Sequence, residues 1–378
     1  MTCLFEVDRT VFEKALFGVQ NVAQKRTATP ILSNTRIDAE TGRLRLYATD
    51  YDVGITQWID ADVQNVGSAA LPARMLYEIV KRGTGDLVRI EVDDQHQAVI
   101  QTGPRARYKL VGMEPADFPE PPPVTTSARL ELDRELFRLW IRKTLFAAGT
   151  DDSRAALAGV FVEPSEQDDL RLVATDTHRL AMVELPGIEG ASALPAEGVI
   201  LPRKALGELL AISEGDGTIE LGVQVQEGGQ QQYIQARWDQ TELLFRTVDG
   251  RFPSYRAVIP EETRQTAVID RSDFIAAIER VSLVITERFR AVSLRFSADT
   301  LTVQARNPEM GEGEEQLDCS FDGEDGFEVG FNAQYLQDAL NQITTDRIEL
   351  RMIDDISPTL IFGEADETYL NVIMPMRL

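Results

Sequence analysis

The chain has 378 residues, of which 43% are hydrophobic and 26% charged, and its formal net charge is −24. This length and composition predict a globular protein with two or three domains rather than a single core. The sequence has no run of 18 apolar residues, no signal-peptide core in "MTCLFEVDRT" and only two cysteines, Cys3 and Cys319. We therefore expect a cytoplasmic protein without membrane spans, disulfides or a structural zinc site.

The motif D-R-x-x-F occurs three times, beginning at Asp8, Asp133 and Asp270. Each copy precedes apolar residues at helical spacing, as Phe12, Leu16 and Val19 illustrate for the first copy. An aspartate at this position can accept hydrogen bonds from the free N–H groups of a first helical turn. The motif therefore predicts three helices with equivalent starts.

A second repeated stretch is "LRLYATD" from Leu44, which returns as "LRLVATD" from Leu170 and in weakened form as "LTVQARN" from Leu301. Its apolar and polar residues alternate with the period of a half-buried strand. Thr-Asp then supplies turn chemistry, and alternation resumes in "VGITQWI". The stretch predicts a β-hairpin in each copy.

A third repeated stretch reads "LPARMLYEIV" from Leu71, "LPRKALGELL" from Leu201 and "FNAQYLQDAL" from Phe331. Three anchors that recur in the same order indicate a tandem triplication of one domain. Each unit is predicted as α+β, reading helix, strands, second helix, strands. The boundaries are predicted as 1–124, 125–262 and 263–378, with joints at "EPPPVTTS" and "VIPEETRQTAV". "EMGEGEEQ" from Glu309 is expected to be a solvated acidic loop.

The inventory of side chains argues against catalysis. The sequence has two histidines, His96 and His178, and none of the common hydrolase, phosphate-binding or dinucleotide-binding motifs. His178 could act as a base beside Asp176 on a soluble substrate, so a repeat-domain enzyme stays open as an alternative. An exposed turn histidine is the favoured interpretation, since no nucleophile or metal partner accompanies it.

Basic residues concentrate on the predicted helices, whereas acidic residues crowd strands and loops. Equivalent basic helices in all three repeats predict a ring or trough that holds a polyanion in spite of the net charge. The ending "YLNVIMPMRL" has a Met-Pro-Met tip. Methionine is common on surfaces that bind varied apolar partners, although ordinary packing of an end strand is the alternative.

Four features together resemble the bacterial DNA polymerase III beta subunit, the sliding clamp: "MPMRL", "ATDTHRL", "VDGRFPSYRAVIP" and the threefold D-R-x-x-F pattern. The resemblance runs from "TATPILSN" to Leu378. It implies a non-catalytic, head-to-tail homodimer whose six similar domains close a ring around duplex DNA, with helices lining the hole. It implies no cofactor. A diverged duplicate clamp, for example one conferring antibiotic tolerance, remains the alternative within the family.

The resemblance also implies sites. The partner-peptide pocket would comprise Leu157, Thr175, Thr177, His178, Arg179, Leu180, Pro253, Val258, Asn332, Tyr335, Pro358, Val372, Met374, Pro375, Met376 and Arg377. Thr177 stands where the family often has glycine, and Pro358 where some members have serine. DNA would be met by Lys25, Arg26, Arg74, Lys81, Arg82, Arg138, Arg142, Arg203 and Lys204. The subunit contact would comprise Arg74, Tyr108, Leu110, Leu283 and Val284.

The implied partners are duplex DNA without sequence preference, the replicative polymerase catalytic subunit, an ATP-dependent clamp loader, and repair polymerases or other clamp-motif proteins. Phosphate contacts carry no sequence information, which suits a ring that slides.

Overall fold

The computed structural model describes residues 3–23, 28–126, 128–165, 168–224, 233–286 and 290–377. Contacts divide the chain into two compact units: residues 1–138 with 204–247, and residues 139–203 with 248–378. The middle predicted repeat contributes segments to both units, so the boundaries at 124/125 and 262/263 stay a sequence prediction. None of the helices in the described ranges is long and apolar enough to span a bilayer.

In its described residues the first repeat contains nine strands and two α-helices. They are β1 (Cys3–Asp8), α1 (Arg9–Val22), β2 (Asn34–Glu40), β3 (Arg43–Thr49), β4 (Val53–Asp60), β5 (Asp62–Asn65), β6 (Gly67–Pro72), α2 (Ala73–Lys81), β7 (Leu87–Val92), β8 (Gln97–Gln101) and β9 (Arg107–Val111).

The second repeat runs in a closely similar order. Its elements are β10 (Ala128–Asp133), α3 (Arg134–Leu145), β11 (Gly159–Pro164), β12 (Leu170–Thr175), β13 (Arg179–Leu185), β14 (Val199–Pro202), α4 (Arg203–Ile212), β15 (Thr218–Gln224), β16 (Tyr233–Trp238) and β17 (Thr241–Arg246).

The third repeat follows the same plan and confirms the predicted triplication. Its elements are β18 (Gln265–Asp270), α5 (Arg271–Val281), β19 (Ala291–Ser297), β20 (Thr300–Asn307), β21 (Gly311–Asp322), β22 (Glu328–Asn332), α6 (Ala333–Leu340), β23 (Arg347–Met352), β24 (Thr359–Gly363) and β25 (Asp366–Ile373).

Two expectations from the sequence are wrong. Each repeat begins with a strand that the helix-first prediction omitted; in β1 the alternation of buried Cys3, Phe5 and Val7 is its signal. The acidic stretch from Glu309 is not a loop over its length, since β21 begins at Gly311. Exposed and half-buried positions alternate along it, with Glu312 and Glu314 exposed and Glu315 half-buried, so strand pairing outweighs the local charge.

The D-R-x-x-F motif forms the predicted helix caps. Asp8 Oδ1 accepts the N–H groups of Thr10 and Val11 at 2.9 and 3.0 Å. Asp133 and Asp270 do the same for the N–H groups three residues later, at 2.8 and 3.0 Å. These bonds satisfy amide groups that lack a partner within the helix.

The arginine of the motif has a structural task that sequence reasoning missed. In every repeat its Nε donates to a backbone carbonyl in the loop that follows the second helix. The pairs are Arg9 with Gly85 at 3.0 Å, Arg134 with Gly215 at 3.0 Å, and Arg271 with Thr345 at 2.9 Å. The same dipeptide therefore caps one helix and fixes the loop behind the other.

The two units each join neighbouring repeats through strand pairing. In the first unit the sheet order is β10-β15-β16-β17-β4-β3-β2-β6, with a second sheet β5-β1-β7-β8-β9. In the second unit one sheet runs β14-β11-β12-β13-β25-β24-β23-β18-β21-β20-β19-β22. The last strand of the second repeat, β17, pairs with β4 of the first, and the last strand of the third, β25, pairs with β13 of the second.

Among the sheet edges in the described residues, two matter for assembly. Within the described ranges β9 pairs only with β8. The first half of β21, residues 311–317, pairs only with β20 there. These two stretches are called the open edges below.

Candidate functional site

The turn between β12 and β13 is built by the Thr-Asp pair of the repeated heptapeptide. Asp176 Oδ1 accepts the backbone N–H groups of His178 and Arg179 at 2.9 and 3.0 Å. Thr175 Oγ1 donates to the Arg179 carbonyl at 2.7 Å and accepts the Thr177 N–H at 3.1 Å. These bonds hold Thr177 at φ +79°, in the left-handed region.

A pocket of about 150 Å³ opens beside this turn. Its apolar base belongs to a buried cluster that includes Leu180, Tyr255 and Val372. The lining residues are Thr175, Thr177, His178, Arg179, Leu180, Pro253, Ser254, Tyr255, Val258, Val372 and Met374. A concave apolar base with a few polar groups at the mouth is typical of a small-ligand or peptide site.

Most of the predicted pocket residues line this one pocket, and the remainder lie outside its lining. Those outside are Leu157, Asn332, Tyr335, Pro358, Pro375, Met376 and Arg377. Sequence reasoning missed Ser254 and Tyr255, which also line it. Both stand within "GRFPSYRAVIP", between Pro253 and Val258, so the signal was present in the motif.

Arg179 connects the pocket to helix α6. Its guanidinium donates to Asp176 at 3.1 Å, to Asp338 at 2.5 Å and to the Phe146 carbonyl at 2.8 Å. The same group lies 4.4 Å from the centre of the Tyr335 ring. Its Nε and both terminal nitrogens thus each have a protein acceptor, so Arg179 forms a fixed wall rather than a spare cation.

Tyr335 therefore supports the pocket from behind. Its ring stacks on the imidazole of His178 with centroids 6.4 Å apart. Burial raises the pKa of the Tyr335 hydroxyl above its ordinary value. Asn332 acts further back, where its side chain accepts the N–H of Gln334 at 3.0 Å and caps α6.

The Met-Pro-Met tail is tied down by two backbone bonds. The Met374 N–H donates to the His178 carbonyl at 2.9 Å, and the Met376 N–H donates to the Gly330 carbonyl at 2.8 Å. Met374 lines the pocket, whereas the Met376 side chain is 38% exposed beside it. The tail that follows β25 is thus fixed beside the pocket, and the side chains of Met374 and Met376 stay near the surface.

A charged network holds the pocket floor. The Tyr255 hydroxyl donates to Glu163, and Arg171 reaches the same carboxylate at 3.2 Å. Arg256 also donates to Glu163, at 2.5 Å. Burial, followed by the bond to Glu163, raises the pKa of Tyr255 to about 12. The phenol is therefore neutral and a donor at physiological pH.

The enzyme alternative finds no support in this geometry. The Asp176 carboxylate accepts backbone N–H groups and the Arg179 guanidinium, and the His178 imidazole stacks on Tyr335. Asp176 therefore orients a turn and does not orient an imidazole base. Among the described residues no group of three His, Cys, Asp or Glu side chains could hold a metal ion.

The predicted DNA-facing residues fall into distinct environments. Lys25 and Arg26 lie outside the described residues. Arg74, Lys81 and Arg82 are exposed on and just after α2, and Arg142 is exposed on α3. Arg138 is a correction: it is buried and donates to Ser213 at 3.3 Å, so a phosphate has no access to it.

Arg203 and Lys204 both have partners within the protein, although the Lys204 side chain is 49% exposed. Arg203 donates to the carbonyls of Leu145 and Ala148 at 3.2 and 2.9 Å. Lys204 pairs with the buried carboxylate of Asp50. Charge spacing along the sequence does not reveal these partners, because they lie more than 50 residues away.

Four of the five predicted subunit-contact residues lie on or beside the open edges, whereas Arg74 lies on α2. Tyr108 and Leu110 belong to β9, and Tyr108 is 40% exposed. Leu283 and Val284 lie in a short 3-10 turn, Ser282–Val284, that packs near β21. Leu283 is 81% exposed, so a partner has access to its side chain.

Comparisons with known proteins agree along the whole chain. The DNA polymerase III beta subunit family matches in three parts: its N-terminal domain over residues 3–122, central domain over 131–254 and C-terminal domain over 256–377. The beta sliding clamp of Caulobacter vibrioides is 37% identical, covering 98% of this chain and 99% of that protein.

Two solved structures are similar over nearly their full lengths. The Bartonella birtlesii sliding clamp bound to griselimycin is 34% identical with a TM-score of 0.92, covering 100% of both chains. The C. crescentus clamp with polyethylene glycol bound to a proposed beta-motif tethering region is 35% identical with a TM-score of 0.92, covering 100% of this chain and 99% of that one.

Proposed function

The chain belongs to the DNA polymerase III beta subunit family and is a DNA sliding clamp; from this we propose that two copies close head to tail into a ring around duplex DNA. In this ring the protein acts as a cytoplasmic processivity factor. It has no catalysis of its own, and it tethers the replicative polymerase catalytic subunit to DNA after an ATP-dependent loader has opened it.

The pattern of strand pairing carries the proposal of a head-to-tail ring. At both internal joints the last strand of one repeat pairs with the β4-equivalent strand of the preceding repeat: β17 with β4, and β25 with β13. Within the described ranges the same rule leaves one edge of β9 and one edge of residues 311–317 of β21 unpaired. A second copy supplies both missing pairings at once, and a ring closes.

Charge on the open edges favours this pairing over a like-with-like dimer. The β9 edge carries exposed Arg107 and Lys109, whereas the β21 edge carries exposed Glu312 and Glu314. Unlike edges attract and like edges repel. Leu283, Tyr108 and Leu110 add the apolar centre that a stable interface requires.

DNA contact falls to the exposed basic residues. Arg74, Lys81 and Arg142 are exposed on helices, and Arg82 is exposed just after α2, where it pairs with Glu78 at 2.7 Å. All four can approach phosphates. Arg203 donates to the Leu145 carbonyl and Lys204 pairs with Asp50, so both make intramolecular contacts that stabilise the fold. With few free cations and a net charge of −24, affinity without a loader is weak and sensitive to salt.

The pocket beside the Thr175–Arg179 turn takes short peptides of polymerases, the loader and repair proteins. Its apolar base suits one or two apolar anchors, which carry most of the energy of such small contacts. The Bartonella clamp binds griselimycin and the C. crescentus clamp holds polyethylene glycol at its proposed tethering region. These observations on relatives support a ligand site on this chain.

The test of encirclement is topological. The protein is loaded by a clamp loader on nicked circular DNA, which is then cut once. Retention on the circle and loss after cutting are expected, because a ring slides off free ends. Equal retention on circular and linear DNA would contradict the proposed ring.

A further inference from the structure

The Thr-Asp turn occurs twice with the same geometry and with a non-glycine residue at its strained position. Tyr51 in the first repeat has φ +77°, and its N–H donates to Thr49 Oγ1 at 3.0 Å. Thr177 has φ +79°, and its N–H donates to Thr175 Oγ1 at 3.1 Å. The Thr-Asp bonding pattern thus imposes a left-handed residue in both turns, a conformation that costs side-chain-bearing residues free energy.

The two side chains differ in what they face. Tyr51 is 61% exposed on the surface of its repeat. Thr177 lines the pocket mouth, next to the apolar base formed by Leu180, Val372 and Met374. A β-branched residue is unfavourable at positive φ. The backbone conformation at Thr177 would therefore favour glycine, yet this position carries a side chain at the pocket mouth.

Two other polar groups at the pocket mouth are already engaged. Arg179 donates to Asp176, Asp338 and a carbonyl, and Thr175 Oγ1 both donates and accepts. Among the described residues the Thr177 hydroxyl has no hydrogen-bond partner. A hydroxyl at the edge of an apolar pocket is a group that an arriving ligand can pair with.

Building on the proposed peptide-binding function, we propose that Thr177 is a specificity-determining residue of the pocket. Its hydroxyl forms a hydrogen bond with a polar side chain that neighbours the apolar anchor of the bound peptide. The pocket therefore prefers peptides with a carboxamide or hydroxyl side chain beside the anchor over peptides with an apolar side chain of equal size.

The experiment is a double-mutant cycle between protein and peptide. The probes are labelled hexapeptides anchored by Phe, in which each other position in turn carries Asn or its near-isostere Leu. Wild type is expected to prefer Asn at one position by about three- to tenfold, the range of one net hydrogen bond. Thr177→Val keeps the shape without the hydroxyl and should abolish that preference, and Thr177→Gly should do the same.

Tyr51→Gly is the matched control, because it relieves the same backbone conformation away from the pocket. Neither glycine variant should lower Tm, and Tyr51→Gly should keep the Asn preference. A preference that survives Thr177→Val at every position overturns the role of Thr177.

A separate outcome isolates the proposed function. If wild type binds none of the peptides, or if Met374→Ala binds them as tightly as wild type, peptide binding at this pocket fails and the role of Thr177 fails with it. If Met374→Ala weakens binding but Thr177→Val leaves the Asn preference intact, only the role of Thr177 fails.

Discussion

At the residue scale, the Asp-Arg dipeptide shows how two adjacent side chains organise one repeat. Asp270 caps α5, and Arg271 donates to the Thr345 carbonyl in the loop behind α6. The cap could be predicted from sequence because it is a bond across three residues. The arginine contact spans 74 residues, so no local sequence pattern predicts it.

Asp270 provides a test of the cap. Backbone donation from Asp273, followed by the Ser272 hydroxyl, lowers the pKa of Asp270 from its ordinary value of 3.8. Because the folded-state pKa is the lower one, this stabilisation is complete above the unfolded pKa and is lost as pH falls through the folded pKa. Asp270→Ala should cost about 1 kcal/mol at pH 7.

The deficit of Asp270→Ala should shrink below about pH 4, as protonation removes the cap from wild type. Calorimetric melts at pH 7 and pH 3 measure this. Asp270→Asn is the control, since asparagine also caps helices but does not titrate. A deficit that is the same at both pH values would mean that the carboxylate contributes through something other than capping.

The basic residues show that charge spacing in the sequence does not by itself identify which side chains can contact DNA. Arg142 is exposed on α3, whereas Arg203 is held by two carbonyls. Arg142→Ala should reduce the salt slope of DNA binding by about 0.9, the value for one neutralised phosphate. Arg203→Ala should lower Tm and leave the slope unchanged, because its donors serve the protein. DNA-binding titrations between about 50 and 200 mM salt distinguish a phosphate-contacting arginine from a structural one.

At the element scale, strands β13 and β25 bring the pocket together. The hairpin, its Thr-Asp turn and the tail were all predictable, because alternation and turn chemistry are local patterns. Ser254 and Tyr255 were not identified, since their place in the lining depends on how the segment after β17 folds back over Leu180. Their position between two recognised residues was the only cue.

The tail offers the prediction at this scale. Met374→Ala combined with Met376→Ala should weaken peptide binding by nearly two decades, from loss of on the order of 100 Å² of apolar contact at about 25 cal/mol per Å². Peptide titration measures it. Met310→Ala, which removes a 63% exposed methionine of the same repeat, is the control and should bind like wild type. Unchanged affinity in the double variant would make the tail simple end-strand packing.

At the scale of the whole molecule, the triplication was predictable because three anchors recur in one order. The strand exchange between neighbouring repeats was not, since pairing partners such as Thr241 and Gln57 are far apart in the chain. Those pairings supply the rule that leaves β9 and β21 open. The proposed assembly therefore rests on topology, whereas in the sequence the basic helices predicted a ring or trough and the head-to-tail dimer was implied by the resemblance.

Leu283 tests the assembly. Leu283→Asp should yield monomers, because burying an unpaired carboxylate in an interface costs several kcal/mol. Sedimentation velocity measures the change. Ile356→Asp is the control: Ile356 is 66% exposed elsewhere in the same repeat, so the dimer should persist. A dimer that survives Leu283→Asp would place the subunit contact away from this turn.

The open edges also bear on the chain before it finds a partner. An unpaired strand edge is a template on which newly made copies can aggregate. Residues 311–317 read "GEGEEQL", so this edge repels its own kind through Glu312 and Glu314 while it stays attractive to the basic β9 edge. In the proposed ring these charges select the partner edge, and we expect that neutralising Glu312 and Glu314 lowers the solubility of the monomer.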